Sequence, residues 1–349
     1  MLTRMPVARG RWKETALTRP LMHFGWPVSP YSAKTRAHLR FKGVPFKDEI
    51  PSILRLYFQI RRSVGRIIMP TVRLPNGTWL QDSSEIIDAI EGRYASPSIT
   101  PPGAAQRVAA SLLELHGDEW LPMLALHYRW NVPENHQFAL EEFGRYGLPK
   151  IPHALSRRAV GKLAQKMQSY LPVLGVTDAT IPGLERFGRE LIATLENHLS
   201  AHDFLLGSRP CIGDFALYGP LWAHLYRDPG TTRLFADAPH VVRWFERLQA
   251  PRATDGAFLA DDEVPESLDP IFKTLFAEQM QWVTHIVQVI ARWCEEHPEA
   301  KRVPRSLGTG DFTLGGHAGQ RRVVTFVQWK AQRPLDAYHA TSGEARASA

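Results

Sequence analysis

The chain has 349 residues, of which 44% are hydrophobic, and it carries a formal net charge of +7. This length is sufficient for two domains and a further element. The sequence contains no apolar run of about 18 residues, so we expect no membrane-spanning helix. The positive charge favours anionic partners in general, but we find no nucleic-acid-binding motif and expect no nucleic-acid partner.

The two cysteines, Cys211 and Cys294, are far apart in the sequence, and neither belongs to a Cys-x-x-Cys pair. We therefore expect no disulfide framework and no metal site, and the simplest compartment is the reducing cytoplasm. The first twenty residues carry five basic residues and one acidic residue without an apolar core. This is not the pattern of a secretory signal, and it predicts a basic disordered tail over residues 1–19, with an organelle-targeting peptide as the alternative.

The tail is followed by alternating strand and helix patterns. Residues 21–26 predict a first strand. Ser29-Pro30 then begins a helix, because serine suits the N-cap and proline suits the first helical position. Residues 44–50 predict a second strand, and residues 52–64 predict a second helix.

Residues 67–81 predict a strand, a tight turn with an Asn-Gly pair, and another strand. Pro70 lies at the entrance of the first of these strands, where a missing N–H is tolerated. Asp82 or Ser83 then caps a further helix. The resulting order, β-α-β-α-β-β-α, predicts a small sheet with helices on both faces.

A stretch rich in proline and serine near residues 96–103 marks a domain boundary. The pattern after it is helical, except over residues 131–152, whose proline, asparagine and glycine content predicts a loop insertion with little regular structure. Helical patterns return over residues 153–170 and 183–201. Asp214 then follows the start of another predicted helix by three residues.

Four of these features occur in the order found in one known family: Ser29 at a helix start, Pro70 before a hairpin, Asp82-Ser83 at the next helix start, and Asp214 in a helix-capping motif. With these features the chain resembles the glutathione S-transferase family over about the first 250 residues. The resemblance implies a cis peptide bond before Pro70.

The resemblance also implies the domain organisation. An α/β thioredoxin-like domain over residues 20–97 binds glutathione, and an all-α transferase domain over residues 103–252 supplies most of the pocket for a small hydrophobic electrophile. Residues 255–340 exceed the usual length of the family and form a C-terminal extension. A cytoplasmic homodimer without a metal cofactor, acting in detoxification with glutathione as co-substrate, is the expectation that follows.

The motif Ser29-Pro30-Tyr31-Ser32 is similar to the Cys-Pro-Phe-Ala motif of the omega class, with serine in place of cysteine. The resemblance therefore implies a serine-type active site in which Ser29 is catalytic. A hydroxyl that donates to a thiol at a helix N-terminus favours the thiolate. Tyr31 is expected in the acceptor pocket, and the residues expected to bind glutathione are Met69, Pro70, Asp82, Ser83 and Arg66.

Each of these assignments has a structural alternative. Ser29 could serve only as an N-cap, and Asp82 with Ser83 could form an ordinary capping box. The whole chain could accordingly be a non-catalytic glutathione-binding or protein-interaction module that keeps the transferase fold, because fold does not fix function.

The C-terminal extension contains a strongly amphipathic helix predicted over residues 270–296. Residues 312–314 and 323–326 flank a glycine-rich segment and predict a hairpin, or the second of them opens a helix. A large apolar helix face rarely remains exposed. We therefore predict that the extension docks on the helical domain of its own chain, with a partner-binding surface as the alternative.

Overall fold

The computed structural model describes residues 20–251 and 255–341. The predicted basic tail at residues 1–19 lies outside the described residues. In the described part of the chain, every helix is too short or too polar to cross a membrane.

The N-terminal region contains a four-stranded mixed sheet with strand order β2-β1-β3-β4. Strand β1 is parallel to β2 and antiparallel to β3, and β3 is antiparallel to β4. The bounds of the strands are β1 Leu21–Phe24, β2 Phe46–Glu49, β3 Thr71–Arg73 and β4 Trp79–Gln81. Side chains that include Leu21, Val72 and Ile86 form a small core on one face of this sheet.

Four helices accompany the sheet. Helix α1 begins directly after Ser29, as predicted, and helices α2 and α3 are joined without a break by a π-helical turn over Leu56–Ile60. The bounds are α1 Pro30–Phe41, α2 Ile53–Arg55, α3 Arg61–Val64 and α4 Ser83–Arg93. The predicted thioredoxin-like arrangement of a small sheet with helices is confirmed.

An all-α domain follows the sheet region, as predicted. Its helices are α5 Ala104–Glu119, α6 Leu121–Asn131, α7 Pro133–Gly147, α8 His153–Gln168, α9 Tyr170–Val173, α10 Ile181–Leu199, α11 Ile212–Pro220 and α12 Pro239–Gln249. A π-helical segment, Leu221–Tyr226, continues α11, and a 3-10 helix, Thr232–Phe235, precedes α12. Buried side chains of these helices belong to the same large core as Phe24 and Trp26 of the sheet region.

The prediction of a loop insertion over residues 131–152 is wrong, because α7 fills most of that range. Pro133 occupies the first turn of α7, where its missing N–H costs nothing. Ala139, Phe143 and Tyr146 then form a buried stripe at helical spacing. The glycine content that favoured a loop serves close packing, since a Cβ on Gly144 would lie 2.8 Å from Oγ of Ser156 in α8.

Asp214 holds the start of α11 in the core of the helical domain. Its Oδ2 accepts a hydrogen bond from the Cys211 N–H at 2.8 Å, and its Oδ1 accepts from the Leu205 N–H and from the Trp244 indole. Burial raises the pKa of the Asp214 carboxyl to about 6 despite these three donors. The predicted role of this aspartate at a helix start is confirmed.

The C-terminal extension is also ordered within the described residues. A two-residue turn, Gly315-Gly316, joins its two strands, and both glycines have positive φ, as such turns require. The sequence left a hairpin and a helix open as alternatives, and the extension contains both. Its elements are α13 Asp269–Thr274, a π-helical turn Leu275–Gln279, α14 Met280–Glu296, β5 Ser306–Leu314, β6 His317–Val324 and α15 Phe326–His339.

The extension contacts α5 of the helical domain through apolar and polar side chains. Leu275 packs against Val108 and Leu112. Gln279 accepts a hydrogen bond from His116 at 2.7 Å and donates one to the Leu115 carbonyl at 3.1 Å. Burial keeps the pKa of His116 at about 4, so this imidazole is neutral at physiological pH.

Candidate functional site

The strand register brings several predicted site residues to one end of the sheet. Phe24, the last residue of β1, is opposite Thr71, and Thr71 is in turn opposite Gln81. The chain therefore leaves β1 towards α1, enters β3 from Pro70, and leaves β4 towards Asp82 at the same end of the sheet.

Ser29 occupies the N-cap position of α1. Its backbone is extended, and its Oγ accepts a hydrogen bond from the Ser32 N–H at 3.2 Å. The side chain is half-buried. Because a hydroxyl both accepts and donates, the Ser29 O–H can still donate to a group placed at the positive end of α1. The predicted N-cap is confirmed, and catalysis by Ser29 stays a prediction.

Pro70 is buried, and the Met69–Pro70 peptide bond is cis, as the family resemblance implies. Met69 is half-buried and packs against the main core. Arg66 lies on the segment between α3 and β3 and is exposed to solvent. Arg66 follows Gly65, which ends α3 with a positive φ of 78°.

Asp82 caps α4 from an unusual backbone conformation, with φ 69° and ψ 132°. Its Oδ1 accepts hydrogen bonds from the backbone N–H groups of Ser84 at 2.9 Å and Glu85 at 3.4 Å. A positive φ at a residue other than glycine costs on the order of 1–3 kcal/mol and is found preferentially at functional sites. The neighbouring Ser83 is 3% exposed.

A network of buried charges lies beneath the start of α4, and the sequence did not predict it. Lys34 of α1 is 1% exposed, and its Nζ lies 2.8 Å from both Glu114 Oε1 and Asp118 Oδ2 of α5. The buried Ser84 hydroxyl donates to Glu114 Oε1 at 2.6 Å. One feature of the sequence points to this network. Lys34 lies three residues before Ala37, which places a charged side chain on the apolar face of α1.

Helix α15 of the extension adds two cations to this network. Lys330 is 4% exposed, and its Nζ lies 3.2 Å from Asp82 Oδ1, 2.8 Å from Ser84 Oγ and 3.3 Å from Asp118 Oδ2. Burial alone would lower the pKa of Lys330, but the carboxylates of Asp118 and Asp82 outweigh it and raise that pKa above its ordinary value. Lys330 is therefore a permanent cation at the capping carboxylate of α4.

Arg333 is the second cation from α15. Its Nε donates to Glu114 Oε2 at 2.8 Å, and its Nη1 and Nη2 donate to the two oxygens of Asp88 at 2.6 and 2.9 Å. Burial would raise the pKa of Glu114, but Lys34 and Arg333 hold it well below its ordinary value. Helix α15 is thus tied by charge to α4 and α5 together.

Tyr31, the residue predicted for the acceptor pocket, lies where α1 meets the helical domain. Its hydroxyl donates to the backbone carbonyl of Asp118 at 2.8 Å. Burial raises the pKa of Tyr31 well above its ordinary value, so this hydroxyl remains a donor. Next to Asp118, burial raises the pKa of Glu119 to about 7, opposed by the charge of Lys330.

Within residues 20–251 and 255–341, no cluster of three or more His, Cys, Asp or Glu side chains is arranged to hold a metal ion.

Comparison with known proteins adds two family matches. The model of the glutathione S-transferase N-terminal domain matches residues 24–98, and the model of the C-terminal domain matches residues 184–250. The second match includes Asp214 and α11, and the first includes Ser29, Pro70 and Asp82. A search of curated protein sequences found no relative.

Several solved structures are similar to this chain at low sequence identity, with TM-scores below 0.5. A glutathione transferase from Phanerochaete chrysosporium is 16% identical over 68% of this chain and 99% of that one, with a TM-score of 0.47. The beta-etherase LigF from Sphingobium sp. strain SYK-6 is 17% identical over 73% and 99%, with a TM-score of 0.45. A glutathione S-transferase-like protein from Pseudomonas syringae is 22% identical over 67% and 68%, with a TM-score of 0.43.

Proposed function

We propose that this chain, whose residues 24–98 and 184–250 match the models of the glutathione S-transferase N-terminal and C-terminal domains, binds glutathione and activates its thiol for attack on a small hydrophobic electrophile. The observation that carries this proposal is the position of Ser29. Its half-buried hydroxyl caps α1 at the same end of the sheet as Pro70 and Asp82.

Ser29 would act on the thiol of glutathione. A free thiol has a pKa of about 8.5 and is mostly protonated at neutral pH. A hydroxyl that donates a hydrogen bond, at the positive end of a helix, stabilises the thiolate over the thiol. A decrease of ~2 pKa units corresponds to about 2.7 kcal/mol of differential stabilisation.

Asp82 and Ser83 would bind the γ-glutamyl end of glutathione. The carboxylate of Asp82 is suited to the γ-glutamyl amine, and the positive end of the α4 dipole is suited to the γ-glutamyl carboxylate. The strained backbone of Asp82 supports a functional role for this residue. The Met69 backbone would pair with the cysteinyl unit, and Arg66 would supply a cation for the glycine carboxylate.

The proposed reaction is addition or substitution. The thiolate sulfur forms a bond to the electrophilic carbon. In a substitution, the bond between that carbon and the leaving group breaks, and its electron pair departs with the leaving group. In an addition, the π bond of the electrophile breaks, and its electron pair takes up a proton from water. Thiol–disulfide exchange through this position is excluded, because a serine hydroxyl cannot form a mixed disulfide. Tyr31 and the adjoining helical domain would line the pocket for the electrophile, and the reaction would serve detoxification in the cytoplasm.

The proposal is tested by calorimetric titration of the wild-type protein with glutathione, followed by a conjugation assay with a standard aromatic electrophile. We expect glutathione to bind and the conjugate to form. Failure to bind glutathione would contradict the proposal.

One observation favours a second candidate, a glutathione-binding or protein-interaction module without catalysis. Lys330 already pairs with Asp82, the residue proposed to bind the amine of glutathione. Glutathione binding with no conjugation of any tested electrophile would support this candidate over the enzyme.

We also propose a homodimer with two-fold symmetry, on the strength of the family alone. Light scattering at micromolar concentration should then give twice the chain mass of 39.4 kDa. A mass that stays at that of one chain over the whole concentration range would contradict the dimer.

A further inference from the structure

Helix α15 inserts an ammonium group at the place where the proposed function puts the amine of glutathione. Lys330 Nζ lies 3.2 Å from Asp82 Oδ1 and 2.8 Å from Ser84 Oγ, and the side chain is 4% exposed. The same Oδ1 of Asp82 also accepts from the N–H groups at the start of α4. A cation therefore pairs with Asp82 before any ligand arrives.

We propose that Lys330 is an internal substitute for the γ-glutamyl amine of glutathione, and that α15 is an autoinhibitory cap that must release Asp82 before this amine can bind. This inference rests on the proposed function, because it takes Asp82 as the residue that binds the amine. It adds a regulatory role for the C-terminal extension, which the family resemblance does not cover.

The chemistry of the lysine ammonium group and of the glutathione amine supports the idea that one takes the place of the other. The side chain of Lys330 and the amine of glutathione are both primary ammonium groups, and each is stabilised by the same carboxylate. Two such cations at one carboxylate oxygen would repel each other, and the repulsion is strong where water is largely excluded. Asp82, with 23% of its side chain exposed, is partly shielded from water.

The cap is held by charge over the length of one helix turn. Lys330 and Arg333 are three residues apart and share one face of α15. Lys330 pairs with Asp82 and Asp118, and Arg333 pairs with Asp88 and Glu114. Displacement of Lys330 therefore breaks only the first of these two sets of ion pairs. The second set, made by Arg333, can keep α15 close to α4 and α5.

The test compares three full-length proteins, wild type, Lys330→Gln and Lys301→Gln, by calorimetric titration. Lys301→Gln is the matched control, because Lys301 lies on the same extension but is exposed. Each protein is titrated with glutathione and with its deamino analogue, which lacks only the γ-glutamyl amine. Circular dichroism verifies that the variants are folded.

We expect Lys330→Gln to bind glutathione at least about 10-fold more tightly than wild type, and Lys301→Gln to stay within about 2-fold. The affinity for the deamino analogue should be the same in Lys330→Gln as in wild type, since this analogue has no amine to take the place of the lysine. If Lys330→Gln raises the affinity for both ligands equally, Lys330 is not a substitute for the amine, because it would then exclude ligands irrespective of the amine.

Two other results separate this inference from the proposed function. Equal glutathione affinity in wild type and Lys330→Gln would overturn the cap and leave the proposed function in place. No glutathione binding in any of the three proteins would overturn both.

Hydrogen exchange on the wild-type protein provides a test that needs no variant. Saturating glutathione should accelerate amide exchange in α15, Phe326–His339, and leave α10, Ile181–Leu199, unchanged. Unchanged or slower exchange in α15 with glutathione bound would contradict release of the cap.

Discussion

Two helices begin at the same end of the sheet, and their capping side chains are held in different ways. Ser29 caps α1 through a hydrogen bond from its own helix and is half-buried. Asp82 caps α4 and also pairs with Lys330, which is 248 residues away in the sequence. The thiol side of the proposed site is therefore local, whereas the amine side belongs to a network that joins three parts of the chain. Substitutions on the two sides should change different properties, turnover on one side and stability or affinity on the other.

The largest effect is expected from the network of buried charges on the amine side of the site. Lys34→Met keeps the aliphatic stem but removes the ammonium group, which leaves Glu114 and Asp118 short of a partner. Removing one member of a buried ion pair typically costs about 3–5 kcal/mol, and we expect the free energy of unfolding in urea to fall by that amount. Lys47→Met is the matched control, since Lys47 is exposed on β2. A loss below about 1 kcal/mol for Lys34→Met would show that the network contributes little to stability.

On the local side, Ser29→Ala should lower turnover by about 10²-fold, or roughly 2.7 kcal/mol, and keep glutathione affinity within a few-fold. The reason is that the hydroxyl acts on the thiolate rather than on the ends of the ligand. Ser52→Ala is the control, because Ser52 caps α2 in the same way, accepting from the Arg55 N–H at 3.3 Å. If both variants lose equal activity, the loss reflects a weakened helix cap.

The stability of the protein should depend on pH through Glu119. The native state holds the Glu119 proton up to a pH of about 7, because burial raises the pKa of this carboxyl to about 7. The unfolded chain releases that proton near its ordinary pKa, so the stability that this group contributes below pH 4.5 is lost as the pH rises towards 7 and above. Glu119→Gln should therefore be more stable than wild type at pH 8, by on the order of 1–3 kcal/mol, and the gap should close at pH 4.

Urea unfolding of wild type and Glu119→Gln at these two pH values measures the effect. Only the difference between the proteins is compared, since buried histidines such as His116 titrate in both. A gap that does not change with pH would mean that Glu119 is ionised in the native state at neutral pH.

The sequence predicted the two helix caps, Ser29 and Asp82. Ser29 with Pro30, and Asp82 before an apolar helix, are signals that act within one turn of the chain, so the caps were recognised without knowledge of the fold. The cis bond at Pro70 came from the family resemblance, and the structure confirms it.

The network of buried charges could not be predicted in the same way. Its members come from α1, α4, α5 and α15, and Lys34 is 80 and 84 residues from the carboxylates it pairs with. No local pattern reports a pairing over such a distance. The error at α7 has a different cause, because glycine there permits close packing rather than a turn, and composition alone cannot separate the two uses.

The role proposed for Ser29 is to stabilise the thiolate of bound glutathione. The most direct measurement is a pH titration of the ultraviolet absorbance of the thiolate in complexes of glutathione with wild type and with Ser29→Ala. We predict that the pKa of the bound thiol in wild type lies about 1–2 units below the free value of about 8.5, and that in Ser29→Ala it returns close to that value. The same thiol pKa in both complexes would contradict the claim.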